Sequence, residues 1–444
     1  MRRLLTLILV LVSVQGYAEA PYSGGATTVF KEDHNAYSMP AKNLSLISRE
    51  SFSVGNSFFT NPWVAAPATV STRDGLGPLF NANACQSCHI KDGRGRPPLA
   101  GEAFASMLIK VGSSISDQGD SRYGTQFHQR SIPGVEAEGS VNLQWQSTSF
   151  TSAAGEVFQL RKPHYQFSDL KYGELEETSF FGGRTAPAMI GLGLLEAIPE
   201  DTLIALEKAQ AELGVSGRIH WLYDKTNKHR IAGRFGWKAS QPSVKKQAAI
   251  AFAEDMGLMS TIVPDSNCQP QQLSCVRAPT GGSPEVSDQI LELVSFYSST
   301  LAVPARRNID NPEIIAGESR FNQVGCNACH TTTLMTGDQS HIAVLREQEI
   351  HPYTDLLLHD LGEGLSDQQN EDDASGREWR TAPLWGIGLM QAVNGHQQLL
   401  HDGRARGVEE AILWHAGEAK ASRRAYLSLS EGQRQELLQF VDSL

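Results

Sequence analysis

Beyond its first fourteen residues the chain lacks any long apolar run, so nothing after that point reads as a membrane-spanning helix. It also lacks low-complexity tracts and blocks of basic residues. Lys and Arg number 38 against 49 Asp and Glu, a formal charge of −11. An acidic chain without a basic patch argues against nucleic acid and anionic membrane as partners. The rest of the composition is that of an ordinary globular protein, long enough for two or three domains. Cysteine is scarce, 6 in 444 residues, and the spacing of those six carries the strongest chemical signal in the chain.

At the N-terminus, Arg2 and Arg3 precede the apolar run Leu4 to Val14, and Ala18-Glu19-Ala20 has the small-x-small form of a signal-peptidase site. The run is too short to cross a bilayer, so residues 1–20 read as a cleaved secretory signal. Loss of Arg2, Arg3 and Glu19 with it takes the charge from −11 to −12. The expectation is an exported, soluble periplasmic protein with no membrane span after cleavage.

Four of the cysteines form Cys85-Gln86-Ser87-Cys88-His89 and Cys326-Asn327-Ala328-Cys329-His330. Two thiols three residues apart can each add across a haem vinyl group, and the His that follows is then placed beneath the iron. A thioredoxin-like pair would need a βαβ setting, and a zinc knuckle would need two closely spaced Cys/His sets; neither is present. The expectation is two covalently bound haems c. Cys85, Cys88, Cys326 and Cys329 would attach them, with His89 and His330 as proximal ligands. Cys268 and Cys275 lie in a polar loop with no cationic residue nearer than Arg277 to lower a thiol pKa, so they read as a structural disulfide rather than a redox pair.

A loose repeat runs through the chain. Arg184-Thr185-Ala186-Pro187 is followed by Gly191-Leu192-Gly193-Leu194, and Arg380-Thr381-Ala382-Pro383 by Gly386-Ile387-Gly388-Leu389. This predicts a mainly α fold of two cytochrome c-like haem domains from a duplication, 21–301 and 302–444. The boundary falls where Val303-Pro304 and Asn311-Pro312 interrupt a helical pattern. Helical spacing is read at Ser287–Leu301, Pro312–Asn322, Val244–Met256, Val408–His415 and Glu431–Leu444. Val141, Leu143 and Trp145 alternate with polar residues, as do residues around Phe158 and Tyr165. Residues about 104–172 therefore read as a small antiparallel β insertion in the first domain.

The order haem motif, Arg-Thr-Ala-Pro, haem motif, Arg-Thr-Ala-Pro, His401-Asp402-Gly403-Arg404-Ala405 resembles the bacterial di-haem oxidoreductase family of peroxidase type. Some of its members are labelled thiol oxidoreductases. Further matching segments are Gly75-Leu76-Gly77-Pro78-Leu79-Phe80-Asn81, Gly233-Arg234-Phe235-Gly236-Trp237-Lys238-Ala239, Asp255-Met256-Gly257, Asp355 to Asp360, and Leu413-Trp414-His415-Ala416-Gly417-Glu418-Ala419. More distantly the family is similar to di-haem cytochrome c peroxidases and to the di-haem enzyme that matures methylamine dehydrogenase. The resemblance implies one haem closed on both faces for electron relay and one that opens to peroxide.

Residue by residue, the resemblance implies His330/His415 ligation of the second haem, because His415 stands fourteen residues after His401, where the peroxidases carry Met. A bis-His iron sits at lower potential than His/Met, which alters the peroxidase pattern of electron flow. Met335, Met390, His359 and His401 compete for that role. At the first haem, Gln247-Ala248 and Asp255-Met256 match the peroxidases' Gln-Ala and acidic-Met pairs, so Asp255, or Glu254 beside it, would be the general acid/base. Glu196 is a weaker candidate, and His220 would close the first iron if it were a ligand. Trp237 falls near the inter-haem Trp of the peroxidases. Arg94 reads as part of a turn that faces a haem propionate.

The implied function is a periplasmic di-haem oxidoreductase that reduces hydrogen peroxide, or uses it or another small oxidant to oxidise a partner. A small donor such as a c-type cytochrome would supply electrons. An inter-domain calcium, present in the peroxidases, has no clear ligand set in this sequence. The rivals are a thiol or thiosulfate-type dehydrogenase, which would want a Cys ligand, and a non-catalytic di-haem electron carrier linked to iron acquisition.

Overall fold

The computed structural model describes residues 21–116, 118–225 and 227–444; the expected signal segment, 1–20, lies outside them. Each Cys-x-x-Cys-His segment sits beside two packed helices. In the first half these are Leu46–Thr60, capped by the Ser45 hydroxyl, and Asp288–Ser299, capped by Ser287. They approach so closely that a Cβ at Gly55 would lie 2.2 Å from the Leu293 carbonyl. Phe52, Phe59, Trp63, Phe252 and Tyr297 fill the core around them. In the second half, Pro312–Gln323 starts with Pro inside the first turn and an Asn311 cap, and packs on Glu431–Ser443, which opens with a Ser430/Gln433 capping box. A Cβ at Gly317 would lie 2.0 Å from the Glu436 carbonyl. Phe59 stands 6.2 Å from the His89 ring and Phe321 6.3 Å from the His330 ring, so both halves set an aromatic ring beside the motif histidine.

The mainly α, cytochrome-like expectation does not hold. The chain is 31% helix and 19% strand, close to a mixed α and β average rather than an all-helical one. Strands are not confined to one insertion. Met107–Ser113 is the centre of a three-stranded antiparallel sheet between Gln126–Phe127 and Ser179–Thr185, and Ser140–Thr151 pairs with Val157–Ser168 in a long hairpin. Two-stranded ribbons also form at Trp221–Asp224/His229–Ala232, Leu334–Met335/Glu349–Ile350 and Leu358–Asp360/Glu378–Arg380. Most of these strands run two to four residues, too short for an alternation to register in sequence. The long hairpin does show one, and its Leu160, Phe150 and Phe158 pack on Trp379, Met390 and Trp414 of the second half.

The repeated segments after each Arg-Thr-Ala-Pro pack on one another reciprocally. Gly191 and Gly386 both take left-handed φ, +69° and +75°, at the start of a short helix. A Cβ on Gly191 would strike the Trp385 ring at 2.3 Å, and one on Gly386 would strike Ile190 at 2.6 Å. Each glycine thus receives the residue that precedes the other. Tyr37 closes this junction with its hydroxyl donating to the Gly386 carbonyl. Val303 is buried in the same core with Leu194, Leu345 and Trp385.

Candidate functional site

One cavity of about 840 Å³ is lined by both Cys-x-x-Cys-His motifs, and also by Trp237, Glu254, Asp255 and His415. The attaching cysteines, the three favoured ligands and the favoured catalytic residues of the sequence reading therefore all border the same space. Cys85–Cys88 forms a single helical turn with His89 at its C-terminal end, and Cys326–Ala328 a 3₁₀ turn that leads to His330.

Three histidines of the cavity lining share one arrangement. His89 Nδ1 lies 2.8 Å from the Pro187 carbonyl, His330 Nδ1 2.8 Å from Tyr353 O, and His415 Nδ1 2.6 Å from Ala411 O. A carbonyl only accepts, so Nδ1 carries the proton in each and Nε2 keeps its lone pair, as in a metal-ligating imidazole held by a backbone acceptor. Burial pushes His89 and His330 down to about 4 and lowers His415 as well, so all three are neutral near pH 7.

The competing ligands are placed otherwise. Both ring nitrogens of His359 are engaged, Nε2 by Asp355 at 2.9 Å and Nδ1 by Glu418 at 3.0 Å. Against the effect of burial, contacts with Asp355, the Cys329 sulfur and Glu418 raise it to about 12, so it has no free lone pair. Its grouping with Cys329 and Asp355 is the one metal-spaced cluster among the described residues; a thiol, an imidazole and one carboxylate do not make an oxygen cage for calcium. His401 lies flat on Trp379, centroids 3.7 Å apart and planes within 7°. Met335 is exposed, and Met390 is buried in the core and also borders the cavity. His220 has its Nδ1 2.7 Å from the Lys238 carbonyl and its Nε2 3.2 Å from Asp373, but it lies outside the cavity lining. Glu196 also lies outside the lining and accepts from the Val244 N–H at the start of the helix Val244–Met256.

Burial pushes the Cys85 and Cys326 thiols up to about 12 and raises Cys88 and Cys329 too, the opposite of the lowered thiol in a redox-active pair. Cys268 and Cys275 are joined by a disulfide and do not border the cavity. Two buried guanidinium groups in the lining, Arg94 and Arg380, have only carbonyl or hydroxyl partners. Arg94 donates to Gln398 O, Leu400 O and Thr185 Oγ1, and Arg380 to Gly236 O and Thr381 O. Burial lowers both to about 10, so they stay charged at neutral pH. Trp379 Nε1, also in the lining, is buried without a partner. Buried cations and an orphaned donor beside two cysteine-histidine motifs fit a group that brings carboxylates, as haem does through its propionates. By contrast Arg184, the repeat counterpart of Arg380, is already paired with Asp367 and Glu371.

Asp255 ends the helix Val244–Met256, whose C-terminus is closed by Gly257 in the left-handed region. The Asn81 and Ala82 N–H groups donate to its carbonyl, and Gln126 Nε2 donates to its Oδ1 at 2.8 Å. Burial raises the carboxyl to about 6, against lowering by Gln126 and Lys110. Glu254 beside it forms an ion pair with Lys110. Trp237 Nε1 donates to Thr185 O at 2.9 Å, with Arg94 over its ring. Sequence reasoning missed Lys110 and Gln126. No motif or spacing in the sequence marks either of them.

Among the described residues no helix is long and apolar enough to cross a membrane. A 135-residue stretch is 27% identical to the serine protease EspP of Escherichia coli, and equally to that of Escherichia coli O157:H7; it covers 30% of this chain. The chain spans about 10% of the length of these curated relatives, so their activity is not carried over. No solved structure matches the chain. A family model described as "Di-haem oxidoreductase, putative peroxidase" matches residues 17–115 and 126–444, nearly the whole chain, and the protein therefore belongs to the di-haem oxidoreductase family.

Proposed function

We propose that the protein is a periplasmic c-type di-haem peroxidase with two haem-bearing halves that divide near residue 302. Cys85 and Cys88 hold one haem and Cys326 and Cys329 the other, with His89 and His330 as proximal ligands and His415 as the second ligand on the His330 side. When bound, the haems supply the redox centres for peroxide and for electron relay. Asp255, with Glu254 beside it, accepts a proton from the incoming peroxide and returns it to the departing oxygen. Trp237 borders the same cavity as both motifs, and its role is that of a relay between the two haems. One hydrogen peroxide takes two electrons and two protons and leaves as two waters; two one-electron donors of the small c-type cytochrome class supply the electrons.

The observation that carries this reading is the meeting of both motifs, three histidines with Nδ1 held by carbonyls, and a carboxyl raised to about 6 in one cavity. The thiol dehydrogenase alternative would need a free cysteine near the cavity, and the two spare cysteines are disulfide-bonded. Haem staining of the denatured chain tests attachment. Two haems should stay with the polypeptide, one should be lost in Cys85→Ala/Cys88→Ala and one in Cys326→Ala/Cys329→Ala. The intact protein should oxidise two reduced cytochromes per peroxide. Haem that extracts from the denatured wild type, or a reduced donor left untouched by peroxide, would contradict the reading.

A further inference from the structure

Lys110 and Gln126 face each other across the strands Met107–Ser113 and Gln126–Phe127. Opposed residues of an antiparallel pair put their side chains on the same face, and these two meet the end of the helix Val244–Met256. Lys110 pairs with Glu254 and Gln126 contacts Asp255.

The orientation of the Gln126 amide is fixed by its neighbours. One nitrogen faces three acceptors: Asn81 Oδ1 at 2.8 Å, Asp255 Oδ1 at 2.8 Å and the Glu254 carbonyl at 3.1 Å. The Asn81 amide cannot be reversed either, because its Nδ2 donates to the Phe127 carbonyl at 2.9 Å. Nitrogen must therefore sit toward Asp255, which turns Oε1 the other way. That oxygen is buried with no hydrogen-bond partner, in a residue only 2% exposed that lines the cavity. A buried acceptor left unpaired is costly, and a donor that reaches it from the cavity would remove that cost.

We propose that Gln126 orients the oxidant: its Nε2 fixes the Asp255 carboxyl while its Oε1 accepts a hydrogen bond from the second O–H of hydrogen peroxide. This rests on the peroxidase reading above and adds a substrate class to it. Hydrogen peroxide has two O–H groups, and the site offers two acceptors, Asp255 for the proton that moves and Gln126 for the one that stays. An alkyl hydroperoxide has a single O–H and leaves one buried acceptor unpaired. The site therefore selects hydrogen peroxide over an alkyl hydroperoxide by about ten- to a hundredfold in kcat/KM.

The test compares hydrogen peroxide with ethyl hydroperoxide in the haem-loaded wild type, Gln126→Leu and Asp255→Asn. Gln126→Met replaces the Leu variant if that one loses haem or folds poorly. Gln126→Leu should raise KM for hydrogen peroxide at least tenfold more than it raises KM for ethyl hydroperoxide, and bring the preference close to one. A second readout is independent of turnover: the Asp255 carboxyl band in the infrared should titrate higher in the variant by roughly one pH unit, because a donor to the carboxylate is gone. If Asp255→Asn abolishes turnover while Gln126→Leu keeps both the preference and KM, the role of Gln126 is overturned and the peroxidase reading stands. If Asp255→Asn and Glu254→Gln both turn over normally, the acid assignment itself fails, whatever Gln126 does.

Discussion

Replacing Asp255 with Asn is expected to lower peroxide turnover by roughly 10² to 10⁴, the usual contribution of a positioned acid/base. Haem content should stay at two per chain, because no attaching residue is touched. The variant should be at least as stable as the wild type. Burial raises this carboxyl in the folded chain from 3.8 to about 6. The fold therefore binds the proton more tightly than the unfolded chain does, so folding stability rises as pH falls from about 6 toward 4 and the ionised form weakens the fold at pH 7. Asn removes that burden. Chemical denaturation at pH 7 should give an equal or higher midpoint. In the wild type, kcat/KM should fall as pH drops below about 6, where the carboxylate needed to accept the peroxide proton is lost. A variant that keeps wild-type turnover, or one that loses both turnover and stability together, would show that Asp255 is only part of the packing.

Replacing His415 with Ala is expected to convert one low-spin haem to high spin while both haems stay attached. His415 follows the helix Val408–Trp414 directly, its Nδ1 is taken by the Ala411 carbonyl, and it lines the same cavity as His330. Its rivals are otherwise engaged, His359 by two carboxylates and His401 by the Trp379 ring. His415→Met should keep that haem low-spin and raise its reduction potential, since Met/His ligation raises the potential. An absorption spectrum unchanged in His415→Ala would remove this residue as a ligand.

The two Cys-x-x-Cys-His motifs were legible because each is written in five consecutive residues. Placement of His89, His330 and His415 in one cavity could be anticipated from family resemblance, but the carbonyls that fix their tautomers could not. Pro187, Tyr353 and Ala411 act through the backbone, which leaves no side-chain signal. The helix periods were readable, whereas the overall class was not. Strands such as Gln126–Phe127 and Leu358–Asp360 exist through pairing with distant segments and have no period of their own. Lys110 and Gln126 escaped notice for the same reason. Their meaning comes from a cross-strand register and from a helix end more than a hundred residues away, and composition around them reads as an ordinary small sheet. The reciprocal contact of Gly191 with Trp385 and Gly386 with Ile190 gives the sequence repeat a physical counterpart, since both turns need a residue without a Cβ at the point of contact.

The most direct test of the peroxidase reading is low-temperature EPR of the oxidised and half-reduced protein, before and after hydrogen peroxide. A peroxidase with one iron that opens should give a high-spin signal in at least one of these states, and lose it on adding peroxide. Two low-spin haems in both states, unmoved by peroxide, would contradict that reading and leave an electron carrier.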